Sequence, residues 1–248
     1  MPERRRRRAD AAALGLRPGQ VPSDHARQAA AQSFIGRLGE LAPGVRAPVV
    51  VDLGCGLGGS AAEFTAADPA VTWVGLDVPG SPEAAARASN RLRFVTFDGE
   101  RLPLADASAH VVYCKQVLEH VSRPALLFEE VARVLHPGGY FAGSTSQLEP
   151  YHSFSTGNHT PYGMRLLLER ARLDLIEVRP GVDAFTLITR RALRASGRFD
   201  RWWERESPLN RVISLIGRVR GLDAEATNAT KLLFAGQFCF LARRPASR

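Results

Sequence analysis

The sequence predicts one α/β domain, and two features of the chain lead to this prediction. Residues 49–64 (VVVDLGCGLGGSAAEF) begin with a run of β-branched residues, continue into a glycine-rich turn and end in a helical segment. Downstream, short apolar runs typical of buried strands are separated by helical patterns. The 248 residues suffice for one such domain with additions and for a substantial core.

The net charge of +8 comes from arginine, because Lys115 and Lys231 are the only lysines. A basic protein can bind a nucleic acid or an anionic surface. The arginine run at residues 4–8, however, lies at the end of the chain, where blocks of like charge are usually solvated. We therefore expect residues 1–22 to form a flexible basic arm, followed by one domain over residues 23–248.

Membrane, export and metal signals are absent from the sequence. No segment approaches the roughly 18 consecutive apolar residues of a membrane span, and the N-terminus lacks the apolar region of a signal peptide. We therefore expect a soluble cytoplasmic protein. Cys55, Cys114 and Cys239 fall in or beside predicted strands and are expected to be reduced core thiols. Because no C-x-x-C or Cys/His cluster occurs, no metal site is expected.

The glycine turn has the spacing D-x-G-x-G-x-G, formed by Asp52, Gly54, Gly56 and Gly58. A dinucleotide site needs G-x-G-x-x-G, and an acid at the strand end would repel a diphosphate but suit a cationic ligand. The pattern resembles the first motif of class I S-adenosylmethionine (SAM)-dependent methyltransferases. In that family the turn packs against the methionine part of SAM, and the acid helps to hold its ammonium group. The alternative is a tight strand–helix connection without a ligand.

Two further acids follow predicted strands. Asp77 lies near the end of the strand predicted over residues 71–78, where a carboxylate can accept both hydroxyls of a ribose, of SAM or of a nicotinamide cofactor. Asp98 follows the strand predicted over residues 92–97. It resembles the family's acid that accepts a hydrogen bond from the adenine amino group, with the N–H of Gly99 available for a ring nitrogen. The segment 98–108 resembles the broad subgroup that includes many small-molecule methyltransferases.

The resemblance continues past the fourth predicted strand, residues 110–114, into the run QVLEHV, and it covers residues 49–146 in total. It implies a Rossmann-like class I methyltransferase fold, with a seven-stranded, mostly parallel sheet and an antiparallel last strand. One departure is His110, which stands where the subgroup usually has an acid. The resemblance implies SAM as cofactor, with binding residues Asp52, Gly54, Cys55, Gly56, Gly58, Asp77, Val78, Asp98, Gly99 and Gln116.

Three side chains follow the fourth strand without a defined part in cofactor binding. Lys115 is either a surface lysine or a side chain that lines the substrate side. Glu119 and His120 are expected to orient the loop and to cap the next helix rather than to perform chemistry. Ahead of the first strand, residues 23–41 predict one alanine-rich helix, which either covers the SAM pocket or is ordinary packing.

The loop after the fifth predicted strand, residues 140–144, contains the candidate catalytic residues. His159 precedes the Thr160-Pro161 cap of a predicted helix, whose N-terminus would lower the pKa of the imidazole. A neutral imidazole can accept a proton from an attacking hydroxyl or amine, so His159 is the candidate base and His152 a weaker one. The alternatives are a histidine that hydrogen-bonds to the loop backbone and a reaction that alignment alone accelerates.

A long insertion separates the sixth predicted strand, residues 173–178, from the seventh, residues 233–242. The methyltransferase core thus comprises residues 45–182 and 231–243, and a helical lid insertion spans about residues 184–230. Apolar residues at helical spacing predict an amphipathic helix over 209–222. Residues 184–222 contain nine arginines against three acids, with Trp202 and Trp203 between them. A substrate lid or a dimer contact is one interpretation, and a peripheral membrane contact is the other.

The sequence therefore predicts a SAM-dependent methyltransferase that acts on an oxygen, nitrogen or carbon nucleophile of a small metabolite. A nucleic-acid methyltransferase is the first alternative, although the N/D-P-P-[YF] motif is absent after the fourth strand. A non-catalytic SAM-binding accessory protein is the second. A nicotinamide-dependent oxidoreductase is disfavoured by the glycine spacing.

Overall fold

The computed structural model describes residues 11–87, 92–151, 153–194 and 197–246, and a seven-stranded sheet forms its centre. The strands are β1 (Val49–Leu53), β2 (Thr72–Asp77), β3 (Phe94–Thr96), β4 (Ala109–Lys115), β5 (Leu135–Ser146), β6 (Asp174–Pro180) and β7 (Gln237–Arg243). They lie in the order β3-β2-β1-β4-β5-β7-β6, and β7 is antiparallel to both of its neighbours. The other pairings are parallel, which confirms the predicted fold class.

Helices cover both faces of the sheet. They are α1 (Gln32–Ile35), α2 (Leu38–Leu41), α3 (Ser60–Ala67), α4 (Pro82–Ala86), α5 (Pro124–Val134), α6 (Pro161–Arg170), α7 (Ala184–Ala192), α8 (Arg201–Glu204), α9 (Pro208–Val219) and α10 (Ala224–Leu233). Thr160 caps α6 as predicted, because its hydroxyl accepts the N–H of Gly163 at 3.0 Å. In the described part of the chain, no helix has the length and apolar character needed to cross a membrane.

The alternation of side chains along β1 explains the two apolar clusters of the core. Val51 and Leu53 belong to the cluster that includes Leu127 and Phe128 of α5. Val50 points the opposite way, into a second cluster that includes Phe34, Phe64 and Trp73. Both faces of the sheet are therefore buried, as a parallel sheet requires.

The prediction of one continuous helix over residues 23–41 is wrong. Residues 24–30 are not helical, and the helical part is limited to α1 and α2. The guanidinium of Arg179 binds both carboxylate oxygens of Asp24 at 2.9 and 3.0 Å, and the N–H of Ala29 donates to the Pro180 carbonyl at 2.8 Å. These contacts with the end of β6 outweigh the helix propensity of the alanines.

Residues 11–22 pack against the domain, whereas the sequence predicted a flexible arm as far as residue 22. Leu14, Leu16 and Val21 are buried in the same cluster as α5. The carbonyl of Gln20 accepts the N–H of Val178 at 2.7 Å, so this segment covers part of the outer edge of β6. Covering an edge strand satisfies backbone groups that would otherwise face solvent. Residues 1–10, with the arginine run, lie outside the described residues.

The insertion between β6 and β7 consists of α7, α8, α9 and α10. The seventh strand begins at Gln237 rather than at residue 233, because α10 continues to Leu233. Ala226, Ala229 and Leu232 recur at helical spacing and are buried, which favours the helix over an earlier start of the strand.

Candidate cofactor and acceptor site

Strand register places the candidate polar residues at one edge of the sheet. Leu53 is paired with Leu76 of β2 and with Cys114 of β4, and Lys115 is paired with Ser144 of β5. Asp77 directly follows Leu76, and Lys115 directly follows Cys114. The carboxyl ends of four neighbouring parallel strands therefore meet around the glycine turn, the position at which ligands bind in open α/β sheets.

The glycine turn needs glycine for conformation and for space. Gly54, Gly56 and Gly58 have φ of +69°, +52° and +79°, values that favour glycine. The N–H groups of Gly54 and Cys55 donate to the Leu76 carbonyl at 2.7 and 3.1 Å, so the turn folds back over the tip of β2. A Cβ atom at position 54 would lie 2.3 Å from the Val117 side chain. The turn is thus held against both neighbouring strand tips.

Asp52 is a buried carboxylate directly before this turn. It accepts a hydrogen bond from the Ser60 hydroxyl, which in turn accepts the indole N–H of Trp73 at 3.0 Å. Burial raises the pKa of Asp52 to about 7, although the Ser60 hydrogen bond and the charge of Lys115 oppose the shift. A cation bound beside Asp52 would stabilise its ionised form, so the site suits an ammonium group.

Asp77, at the tip of β2, is held by a network that the sequence did not reveal. Arg87 Nη2 lies 2.6 Å from Asp77 Oδ2, and Arg87 Nε donates to the Gly56 carbonyl at 2.8 Å. The guanidinium stacks on the Phe94 ring at 4.3 Å. Asp77 also accepts hydrogen bonds from the Val78 N–H and the Ser81 hydroxyl. Arg87 thus bridges Asp77 and the glycine turn.

Asp98 and Gly99 lie in the loop after β3, beside the tip of β2. Asp98 is exposed, and its carboxylate accepts the N–H groups of Glu100 and Arg101 at 2.9 and 2.8 Å. These hydrogen bonds hold the pKa of Asp98 below its usual value, and the one from the Arg101 N–H has the larger effect. Gly99 has a φ of +88°, which lets the loop turn sharply. Asp98 therefore remains accessible to a ligand.

The cysteines are buried thiols without bonds to one another. Burial raises the pKa of Cys55 and of Cys239 to about 12 and that of Cys114 well above its usual value. Thiols with such pKa values stay protonated at neutral pH and are poor nucleophiles. Cys55 can therefore contribute backbone and packing to the site, but its sulfur is not poised for chemistry.

A small, partly open cavity adjoins the tips of β4, β5 and β7. Its volume is about 20 Å³, and Lys115, Gln116, Ser144, Trp203 and Gln237 are among its lining residues, together with residues 29–32. Gln116 has a φ of +55°, an unfavourable value for a residue with a side chain, and its amide lies 3.0 Å from Ser144 Oγ. A cavity of this size holds about one water molecule, so a larger acceptor requires movement of the residues above it.

Of the two candidate bases, the structure describes His159 but not His152. His159 Nε2 lies 3.1 Å from the Leu118 carbonyl, and the ring faces a surface groove that Pro124 and Leu167 also line. Because a carbonyl only accepts, Nε2 carries the proton and Nδ1 is the basic nitrogen of the neutral ring. His152 lies outside the described residues. The assignment of either histidine as a base stays a prediction.

Glu119 organises the loop that carries His159. Its side chain is fully buried and accepts the hydroxyls of Thr145 and Ser146 at 3.1 and 3.0 Å. Its carbonyl accepts the N–H of Thr156 at 2.7 Å. Glu119 thus connects the loop after β4 to the end of β5 and to the loop that carries His159, while the N-cap residue of α5, Arg123, provides no side-chain cap.

Comparison with known proteins agrees with this geometry. The family described as Methyltransferase domain matches residues 51–143. An uncharacterized methyltransferase of Mycolicibacterium gilvum (strain PYR-GCK) is 42% identical over 93 residues, 36% of this chain and 36% of that protein. A malonyl-[acyl-carrier protein] O-methyltransferase of Herminiimonas arsenicoxydans is 29% identical over 208 residues, 81% of this chain and 72% of that protein. The chain spans between 36% and 50% of the length of its mycobacterial relatives.

Solved structures share the fold at low sequence identity. The [4+2]-cyclase SpnF matches with a TM-score of 0.56 and 18% identity, over 95% of this chain and 92% of that chain. A SAM-dependent methyltransferase from Mesorhizobium loti matches with a TM-score of 0.51 and 20% identity, over 87% and 98% of the two chains. These likenesses concern architecture, and one of the two proteins is named for a different reaction.

The strand order, with a glycine turn at the carboxyl end of β1, is that of a class I methyltransferase fold. Residues 51–143 match the Methyltransferase domain, and the relatives named above support a class I SAM-dependent methyltransferase. The residues present fit SAM, since Asp52 is a buried acid beside the turn and a Cβ atom at position 54 or 58 would clash with neighbouring side chains. Arg87 is bound to Asp77, so a ribose that bound to this carboxylate would have to displace the guanidinium.

Proposed function

We propose that the protein transfers the methyl group of SAM to an oxygen, nitrogen or carbon nucleophile of a small metabolite. The observation that carries this proposal is the pair of buried acids, Asp52 and Asp77, on either side of a glycine turn at the carboxyl ends of β1 and β2. SAM supplies an activated methyl group on a sulfonium. The protein's task is then to bind and align the two reactants, which can provide most of the acceleration.

The cofactor contacts follow the order of the strands. Gly54, Gly56 and Gly58, with Cys55 between them, hold the amino-acid end, and Asp52 holds its ammonium group. Asp77 accepts the ribose hydroxyls, beside Val78. Asp98 accepts the adenine amino group, and the N–H of Gly99 donates to a ring nitrogen. Gln116 borders the place of the transferable methyl group at the tip of β4.

The acceptor is proposed to enter the small cavity beside Gln116. Lys115 is a basic side chain among the lining residues, and it lies at the strand tip closest to the acceptor side. A cation in this position favours an acceptor that carries a negative charge, such as a carboxylate. The name of the relative from Herminiimonas arsenicoxydans, an O-methyltransferase, supports an oxygen nucleophile. His159, or His152, serves as base where the acceptor needs one.

The test of this proposal is binding and turnover with matched aspartate variants. Asp77→Ala should weaken binding of SAM and S-adenosylhomocysteine by about 1–3 kcal/mol, because a charged hydrogen-bond acceptor is lost. Asp174→Ala, at the exposed beginning of β6, is the control and should bind normally. Calorimetry measures both. Unchanged affinity of Asp77→Ala would mean that the ribose is held elsewhere.

Turnover separates the proposed enzyme from its alternatives. S-adenosylhomocysteine should form when the protein and SAM meet a panel of carboxylate, phenol and amine metabolites. Formation on nucleic acid alone would favour the nucleic-acid methyltransferase, and binding without product on any acceptor would favour the accessory protein. A pH–rate profile that His159→Ala leaves unchanged would exclude this histidine as the base.

A further inference from the structure

The helix α9 presents apolar side chains to solvent. Val212, Leu215 and Val219 are 50%, 56% and 80% exposed, and Ile216 is also exposed. The spacing of three and four residues places them on one face. We call these four residues the outer stripe. A surface helix normally turns polar residues toward water, so this face is unusual.

The opposite face of α9 is already used for packing. Asn210, Ile213 and Gly217 are buried, and Gly217 lies directly against Thr227 of α10. The helix is therefore apolar on two sides, and only one side is covered by the protein. The exposure of the outer stripe does not come from a displaced helix, because the opposite face of α9 keeps its contacts with the core. It is a second apolar surface that the fold leaves uncovered.

A neighbouring helix also carries exposed apolar side chains. Phe185 and Ile188 of α7, and Leu193 directly after it, are 64%, 53% and 58% exposed. α7 and α9 pack against each other. The side chain of Asp183, which caps α7, also accepts the N–H of Leu209 at 3.2 Å, so the two helices are fixed together. The two helices therefore form one rigid unit with several exposed apolar side chains.

Arginines flank the outer stripe. On the helical projection Arg211 and Arg218 lie on one flank of α9, and Arg220, just after its end, lies on the other. All three are exposed, α9 itself contains no acid, and within the described part of the chain Arg218 and Arg220 form no ion pair. Residues 184–222 contain nine arginines against Asp200, Glu204 and Glu206. The surface thus combines an apolar centre with positive borders.

We infer that this surface binds an anionic lipid bilayer, with α9 lying in the headgroup region. A helix in this position meets two layers of the bilayer. The aliphatic side chains of the outer stripe would contact the acyl chains, and the flanking arginines would contact the anionic headgroups. A second copy of the chain matches less well, because a two-fold interface would bring the same arginines together. A nucleic acid would leave the aliphatic stripe without an apolar partner.

The tryptophans of the insertion are not the anchors. Trp202 and Trp203 are only partly exposed, and arginine side chains cover their rings, Arg201 and Arg211 on the first and Arg190 on the second. Trp203 also lines the small cavity. The side chains that would enter the lipid are instead those of the outer stripe. This assignment does not depend on methyl transfer, because it concerns a different surface.

The test is co-sedimentation of the full chain with vesicles. Binding should be strong to vesicles of 70% phosphatidylcholine and 30% phosphatidylglycerol, weak to phosphatidylcholine alone, and reduced by salt. The triple variant Val212→Ser/Leu215→Ser/Val219→Ser should bind at least tenfold more weakly. The matched control Leu126→Ser/Leu166→Ser/Ile176→Ser removes comparably exposed apolar residues elsewhere and should bind normally. Circular dichroism checks that both variants are folded.

A second measurement reports directly on insertion. The native cysteines are buried, so Val219→Cys can be labelled selectively with an environment-sensitive dye. Its emission should shift to the blue on anionic vesicles, whereas a dye at Leu166→Cys should not respond. The inference is overturned if the wild type does not bind anionic vesicles or binds neutral ones equally well. It is also overturned if the triple serine variant abolishes a dimer while lipid binding is unchanged.

Discussion

Asp52 shows how burial can adapt a single residue to a cationic ligand. Its carboxylate has lost most of its hydration, and the Ser60 hydroxyl replaces only part of it. Lys115 favours the charged form and Asp77 disfavours it, so the two neighbouring charges oppose each other. The pKa of Asp52 is therefore raised to about 7, and a cation held beside the carboxylate would favour its ionised form.

The first prediction concerns stability against pH. In the unfolded chain Asp52 ionises near its ordinary pKa of about 3.9, whereas in the folded chain it keeps its proton up to about pH 7. The unfolded state therefore binds fewer protons between these values, and stability falls as pH rises through the window. Relative to Asp52→Asn, the wild type should lose on the order of 2–4 kcal/mol between pH 4 and pH 8. Urea unfolding of both proteins measures the difference, and parallel curves would contradict the raised pKa.

The second prediction concerns Arg87. Its ion pair with Asp77 is shielded from solvent, with 14% and 11% of the two side chains exposed, and it occupies the acceptor oxygen that a ribose needs. Arg87→Ala should therefore bind S-adenosylhomocysteine more tightly, by about 1 kcal/mol or roughly fivefold, since no ion pair has to be broken. Arg93→Ala, near the same loop but without this pair, is the control. Weaker binding of Arg87→Ala would show that the guanidinium contacts the cofactor instead.

These residues also show what sequence could and could not predict. Asp52, Asp77 and the glycines follow from local spacing, because a strand end and a turn are short-range features. Ser60 and Arg87 have no such signal, although Ser60 stands at the first turn of a helix after the glycines. Their partners are set by how α3 and the segment after α4 fold over the strand tips, which depends on tertiary packing.

At the scale of elements, the strands were predictable and the N-terminal helix was not. β1, β2 and β4 consist largely of apolar residues that are buried on both faces, so composition indicates them. The alanines of residues 26–31 favour a helix, yet Lys231 and Arg179 draw the chain into an extended path. Helix propensity contributes a few tenths of a kcal/mol per residue, and the contacts made by Lys231 and Arg179 contribute more than this.

The third prediction concerns the ion pair within the insertion that joins the segment between α8 and α9 to α10. Lys231 is fully buried, and its ammonium donates to the Glu206 carboxylate and to the Ala26 carbonyl. Burial lowers the pKa of Lys231, which means that its charge is costly without a partner. Glu206→Ala should therefore reduce the free energy of unfolding by about 2–4 kcal/mol.

The control for this pair lies two residues before Glu206, at the end of α8. Glu204 is exposed, so Glu204→Ala should change the free energy of unfolding by less than about 0.5 kcal/mol. Lys231→Met in the Glu206→Ala background should recover part of the loss, because it removes the unpaired charge. Thermal or urea unfolding measures all three variants. Equal effects of Glu204→Ala and Glu206→Ala would mean that the pair contributes no more than a surface contact.

At the scale of the whole molecule, the N-terminal segment and the insertion are tied together. Asn228 of α10 donates to the carbonyls of Pro22 and His25, and Gln28 binds the backbone of Trp202 and Ser207. Residues 29–32 and Trp203 cover the same small cavity. The N-terminal segment and the insertion therefore cover this cavity together.

The last prediction tests whether residues 11–22 belong to the folded domain. Leu16 is buried in the main core cluster, so Leu16→Ala should lower the free energy of unfolding by about 2–4 kcal/mol through the lost contacts and the cavity left behind. In a flexible arm the same change would have no effect.

Two truncations test the same point. Removal of residues 1–10 is the comparison, because a charge block that is solvated, as the sequence predicts, contributes little to stability. Removal of residues 1–22 should unfold the protein at a much lower urea concentration, because it exposes the apolar surface beneath Leu14 and Val21 and the outer edge of β6. If both truncations unfold alike, the packing of this segment does not stabilise the molecule, and the cover over the small cavity rests on the insertion alone.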